Sequence, residues 1–306
     1  MNAGQNQIRS TFSCLRCFAL ICGSLLFVVA GCCTKAAREP YYGATSRMAD
    51  VVNVVNRNSD QVVSLWANIS DFTAEVNDNG STHSVSGSGV LIFRRPGDLL
   101  LRGSKEFVGP IFELGSNPET YWMQLIPKVE TSWFGQYKHL GKPCVQRLPI
   151  QPDMLVEVLG VSTFNTNFLQ QPVPVMTFNH ELDAYEFTFN ARLQDRWFAT
   201  KRISYDRATQ LPIRVVIFDE NGRTVVQADL KNHVAAEVVD VPKEQWPKVA
   251  SQYDLTFPET KTKLSLTLSD VALTHGKVPN DRTFKMPAAG SWSTEKVIQV
   301  DENCDD

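Results

Sequence analysis

The stretch Asp183–Leu193, DAYEFTFNARL, alternates without a break. Tyr185, Phe187, Phe189, Ala191 and Leu193 fall on one side, and Glu186, Thr188, Asn190 and Arg192 on the other. A period of two sends successive side chains to opposite faces, so this is a strand with one face buried and one wetted. The same period recurs in both directions along the chain. Asp71 to Val76 runs into Asn79-Gly80, a pair that accepts positive φ and closes a hairpin. Ile213 to Phe218, the turn Asn221-Gly222, and Val226, Ala228 and Leu230 spell a second hairpin, and Leu264, Leu266 and Leu268 another strand. About ten or eleven strands are expected on this pattern.

The helical signal is confined to two places. From Met48, the apolar residues Met48, Val51, Val52, Val55, Val62, Leu65 and Ile69 recur at helical spacing, with Asn53, Arg57 and Asp60 facing elsewhere. So many β-branched residues lower intrinsic helix propensity, and this helix needs a surface to pack on. A shorter helix is expected near Pro152 to Leu159. The fold class is therefore mainly β with helices (α+β): an antiparallel meander forming one large curved sheet, with the N-terminal helix on its inner face. Val90 to Phe93 and Tyr121 to Ile126 are apolar on both faces, so parts of both sheet faces must be covered. Residues 161–180, rich in Pro and Asn, form the longest excursion, and the acidic tail from Val300 has a disordered composition. No internal repeat is visible.

The N-terminus reads as an export signal. Met1 to Arg16 holds two arginines and no acid, Cys17 to Ala30 is apolar, and Val29-Ala30-Gly31-Cys32 closes the run. Such a run is short of the roughly 20 residues a membrane span needs. Small residues before a cysteine suit a lipoprotein signal peptidase, which cleaves between Gly31 and Cys32 and leaves Cys32 to carry the lipid. The expected organisation is a signal peptide over 1–31, a tether over 32–45, a domain over 46–290 and an acidic tail over 291–306. The expected location is the bacterial cell envelope, anchored by lipid at the outer membrane's periplasmic face. Losing Arg9 and Arg16 takes the formal charge from −3 to −5, the wrong sign for a bulk grip on nucleic acid.

Chemistry is hard to find in this chain. There is no Walker A loop, no GxGxxG, no HExxH and no GxSxG. His83, His139, His180, His233 and His275 stand singly. Cys33, Cys144 and Cys304 remain once the signal is gone and Cys32 is acylated, with no CxxC among them. Cys144 and Cys304 can pair in an oxidising compartment or stay as two thiols. No catalytic residue, metal site or cofactor is expected, and the chain reads as a non-enzyme.

Three short motifs, in order, resemble the LolA/LolB lipoprotein-carrier superfamily. Gly89-Val90-Leu91-Ile92-Phe93-Arg94-Arg95-Pro96-Gly97-Asp98-Leu99 is similar to its strand–turn–strand, in which a basic residue precedes a proline. Phe112-Glu113-Leu114-Gly115-Ser116-Asn117 followed by Thr120-Tyr121-Trp122 is similar to the hairpin that comes next, and Leu273 to Phe284 to the closing strand. The resemblance covers most of residues 46–287. It implies an unclosed β-barrel whose helices plug the concave face over a hydrophobic cavity for acyl chains. It also implies that Arg95 holds a lid by hydrogen bonds to lid carbonyls. Val51, Val55, Val62 and Leu65 are expected to pack into that face with Phe93, Leu101, Trp122 and Trp133, although the sequence leaves open which strand parity faces inward. Lipidation of Cys32 makes the chain resemble the family's membrane-anchored acceptor, and Phe107, Val108 and Ile111 are the candidates for its exposed apolar loop.

Two functions compete on these grounds. One is a lipid-anchored protein that binds the acyl chains of lipids or lipoproteins in transport or sorting. The other is an envelope regulatory or structural module that binds a protein partner on the same fold.

Overall fold

The computed structural model describes residues 44–305, apart from 79–80, 127–129, 143, 146–147, 149, 151, 274–278 and 289. The proposed signal peptide, the Gly31–Cys32 cleavage site and nearly all of the tether lie outside the described residues. The helix α1 (Met48–Asp60) is followed by β1 (Ser64–Asp78), β2 (Ser81–Arg94), β3 (Asp98–Lys105), β4 (Gly109–Ser116), β5 (Thr120–Leu125) and β6 (Thr131–Gln136). The short helix α2 (Pro152–Val158) interrupts the strands. After it come β7 (Val173–Asn179), β8 (Ala184–Leu193), β9 (Arg196–Asp206), β10 (Pro212–Phe218), β11 (Thr224–Ala235), β12 (Lys248–Phe257), β13 (Thr262–Ala272) and β14 (Lys296–Gln299).

Among the described residues, all strands join one 14-stranded sheet in the order β14-β6-β5-β4-β3-β2-β1-β13-β12-β11-β10-β9-β8-β7, whose ends do not meet. Every pairing is antiparallel except β14 on β6. The seven-residue helix α2 touches β4 and β5 on one side and β10 and β11 on the other. A helix of that length spans only about 10 Å. Strands so far apart in the order would lie tens of ångströms from each other in a flat sheet, at ~4.8 Å per strand. The sheet therefore curls around the helix. The expected α+β class, an unclosed antiparallel half-barrel with helices on its concave face, is the observed one.

Four expectations about elements change. The described residues form fourteen strands where ten or eleven were expected, and β7 falls inside the segment 161–180 expected as an excursion. The first helix stops at Asp60, and Leu65 and Ile69 belong to β1. A separation of four residues is one helical turn and also two strand repeats, so those two positions fitted either period. The tail is ordered, because β14 extends the sheet edge, Val300 and Asp301 are buried, and Cys144 and Cys304 form a disulfide. Phe284 closes no strand. It lies in a turn on the convex face with Ile92 and Leu100, which explains why β2 is apolar on both sides.

Candidate functional site: the covered concave face

The concave face is an apolar bowl covered by two segments. Val51, Val52 and Val55 of α1 are buried in one cluster with Leu65, Phe93, Leu101, Tyr121 and Met123 from the sheet, and Leu155, Val158 and Leu159 from the α2 region. Between α2 and the sheet lies a cavity of about 10 Å³ lined by Leu91, Leu101, Leu155, Leu159 and Leu266 among others. A second, of about 40 Å³, is lined by Leu101, Ile111, Met123, Ile150 and Leu264 among others. Both have wholly apolar walls. Binding sites for molecules of drug size run to about 300–1,000 Å³. In this conformation the helices occupy the bowl, and among the described residues neither of these two cavities is large enough for an acyl chain.

What keeps the cover in place is polar and specific. Arg95, in the turn after β2, donates through Nε to the Val62 carbonyl at 2.8 Å. Through Nη2 it donates to the Ser59 and Val161 carbonyls, both at 2.7 Å. Ser59 lies in the last turn of α1, where carbonyls have no partner within the helix, and Val161 follows α2. One guanidinium thus ties the ends of both helical segments to the sheet. Burial draws its pKa down and the charge of Asp60 opposes this; the group remains a cation.

Two further contacts fasten the same cover. The Asn56 side chain exchanges a pair of hydrogen bonds with the Phe164 backbone, at 3.0 and 2.7 Å. The Phe164 ring then packs against Phe187, Phe189 and Tyr205. Glu157 of α2 pairs with Lys201 of β9 at 2.6 Å and accepts from Ser162. Neither contact is visible in the sequence, since Asn56 sits 108 residues from its partner and Glu157 sits 44 from its own.

The residues expected in this face divide. Val51, Val55, Val62, Leu65, Phe93 and Leu101 are buried together in it, and Trp133 is half-buried against it. Trp122 is not there. It alternates with Tyr121 and Met123, so its ring faces the convex side, stacked over Gly115 with its Nε1 donating to Glu113 at 3.2 Å. It pairs across the sheet with Phe134, whose ring stacks on Trp292. Trp122 is fully buried by the C-terminal chain that crosses the convex face. Of the expected apolar loop, Phe107 is fully exposed at the β3–β4 tip and Val108 largely so. Ile111 points inward and lines the larger cavity.

No protein-family model and no curated protein matches the chain. Among solved structures it is similar to an outer membrane lipoprotein-sorting protein domain from Vibrio parahaemolyticus, at 13% identity and TM-score 0.47, over 77% of this chain and 95% of that one. It is also similar to a DUF1329 family protein from Desulfovibrio piger, at 11% identity and TM-score 0.47, over 79% and 98%. A LolA superfamily protein from Nitrosomonas europaea matches at 10% identity and TM-score 0.44, over 80% and 99%. Among the described residues no cluster of side chains could hold a metal ion, and no helix is long and apolar enough to cross a membrane.

Proposed function

We propose that this protein is a lipid-anchored carrier or acceptor in the bacterial cell envelope. On this reading it takes the acyl chains of lipids or lipoproteins into the concave face of its sheet. The observation that carries the reading is the three-way grip of Arg95 on Ser59, Val62 and Val161. A single cation holding the ends of both covering segments is a latch that opens as a unit. Behind it lies an apolar bowl that must be filled by helix or by ligand, because bare apolar surface costs about 25 cal/mol per Å² in water. Closed and loaded states are then near in free energy, which reversible carriage requires. Cys32 carries the anchor, and Phe107 with Val108 forms an apolar tip that meets the membrane. The test is to purify the protein from its membrane and identify co-purifying lipids by mass spectrometry. Stoichiometric acyl lipid that is lost with the bowl closed is the expected result. No bound lipid, together with no change in thermal stability of the delipidated protein on adding fatty acids, would defeat the proposal.

A further inference from the structure

The strand directions place two apolar outcrops on one edge of the sheet. From β3 through β2, β1, β13, β12, β11, β10 and β9 to β8 every neighbour is antiparallel. The β3–β4 and β8–β9 turns therefore point the same way. The β3–β4 turn carries Phe107, fully exposed at φ 62°. The β8–β9 turn, Gln194-Asp195, joins the paired residues Leu193 and Arg196, and Trp197 pairs with Arg192 one step back; Leu193 is 41% and Trp197 57% exposed. Leu169, 90% exposed, lies beside them, because Gln171 two residues on accepts the Arg192 N–H at 2.9 Å. Arg192 and Arg196 stand at the same tip, with Asp195. Between these outcrops the same edge carries the β1–β2 hairpin, paired out to Asp78 and Ser81 beyond the last β2–β3 pair Ser88 and Ser104, and the polar turns Asp219–Arg223 and Pro258–Lys261, of mixed charge.

We infer that this edge is the face the protein lays against a phospholipid bilayer, and that the β8–β9 tip is a second point of contact beside Phe107. Trp is suited to the headgroup layer, having an apolar body and one N–H to leave wet. The arginines can lie along the surface with their stems in the apolar zone and their charges on phosphate. Chain length permits the pose. Ser46 is fixed at the far end of β8, its N–H donating to the Tyr185 hydroxyl at 2.7 Å. Tyr185 stands eight residues from Leu193, about 27 Å along a strand at ~3.4 Å per residue. The fourteen residues from Cys32 to Ser46 reach at most about 48 Å at ~3.3–3.6 Å each, so an anchored Cys32 leaves slack for the tip to touch the membrane. Two tips on separate hairpins fix the orientation of the bowl relative to the bilayer, which one tip cannot.

This inference rests on the anchored reading, and one experiment separates the two. The full lipidated protein is reconstituted into phosphatidylcholine vesicles containing a minor share of phosphatidylglycerol, with or without brominated acyl chains, and the Trp197 signal is taken as the difference between wild type and Trp197→Phe. The expected result is that the Trp197 signal loses most of its intensity on brominated vesicles and shifts to the blue. Leu193→Asp, at an exposed position that leaves the fold intact, should restore it. Vesicles that carry the protein through flotation while Trp197 stays unquenched would overturn the second contact and leave the anchor standing. A protein that does not float at all would overturn both.

Discussion

Arg95→Leu is the perturbation that bears most directly on the cover. The guanidinium makes three hydrogen bonds of 2.7–2.8 Å to the carbonyls of Ser59, Val62 and Val161. Hydrogen bonds to a charged group are worth about 1.5–3 kcal/mol each. They share one cation and are not additive, and the freed carbonyls recover water when the cover lifts. A working figure is therefore about 3 kcal/mol, or roughly 150-fold in the balance between covered and open states. Because the apolar packing of α1 and the sheet is untouched, the strands should keep their stability. Hydrogen exchange followed by mass spectrometry reads the effect in one experiment. The amides of 59–63 and 157–164 should lose about two orders of magnitude of protection, and those of β1 and β13 almost none. Arg95→Lys should fall between, since an ammonium cannot present a planar fork to three separated carbonyls. Unchanged protection at 59–63 in Arg95→Leu would refute the latch, and uniform loss throughout the sheet would make Arg95 a general stabilising residue instead.

Three other perturbations have defined outcomes. Gly115→Ala would place a Cβ 2.2 Å from the Trp122 ring. It should cost about 1–3 kcal/mol in chemical denaturation by overpacking, with acyl-ligand affinity unchanged because Trp122 is on the convex side. Asp301 titrates below its ordinary value: burial pushes it up, but bonds from the Gln136 N–H, Gln299 and His139 outweigh that. Its contribution is thus present above about pH 4 and lost as pH falls through the lower folded value. Asp301→Asn should remove that acid-limb step from a plot of stability against pH, and a wild-type-like acid limb would contradict the assignment. The Cys144–Cys304 bridge closes a loop of 160 residues. Cys304→Ser should lower unfolding stability by about 2–4 kcal/mol relative to the oxidised wild type, and the reduced wild type should match the variant.

The period-two pattern and the apolar stripe in Val51, Val52 and Val55 were enough to read an open sheet with a helix on its inner face. The end of that helix was not legible, because Leu65 and Ile69 suit both periods and only pairing with β2 and β13 decides between them. Side-chain facing was lost for a related reason. Within Tyr121-Trp122-Met123 every residue is apolar, so the binary pattern has no phase, and the convex cover that buries Trp122 comes from residues far along the chain. Adjacent arginines show what local sequence can and cannot carry. Arg94 reaches the convex side, pairing with Asp98 and Asp281 and lying over Phe284. Arg95, one residue on, serves the concave cover. A basic pair before a proline marks the turn, but the division of labour depends on which segments come to rest on each face. The ordered tail escaped notice because its composition is that of a solvated segment, whereas a strand pairing, a disulfide and the buried Asp301 hold it.

The central claim is that acyl chains and the covering helices compete for one bowl. Spin labels on Val54, on the exposed side of α1, and Thr256, on the exposed face of β12, report the distance between cover and sheet. Pulsed dipolar spectroscopy on the delipidated protein should give one distance, and saturation with a palmitoylated lipopeptide should add a second, longer population that Arg95→Leu already shows without ligand. Binding of the lipopeptide with the single original distance retained would contradict the account.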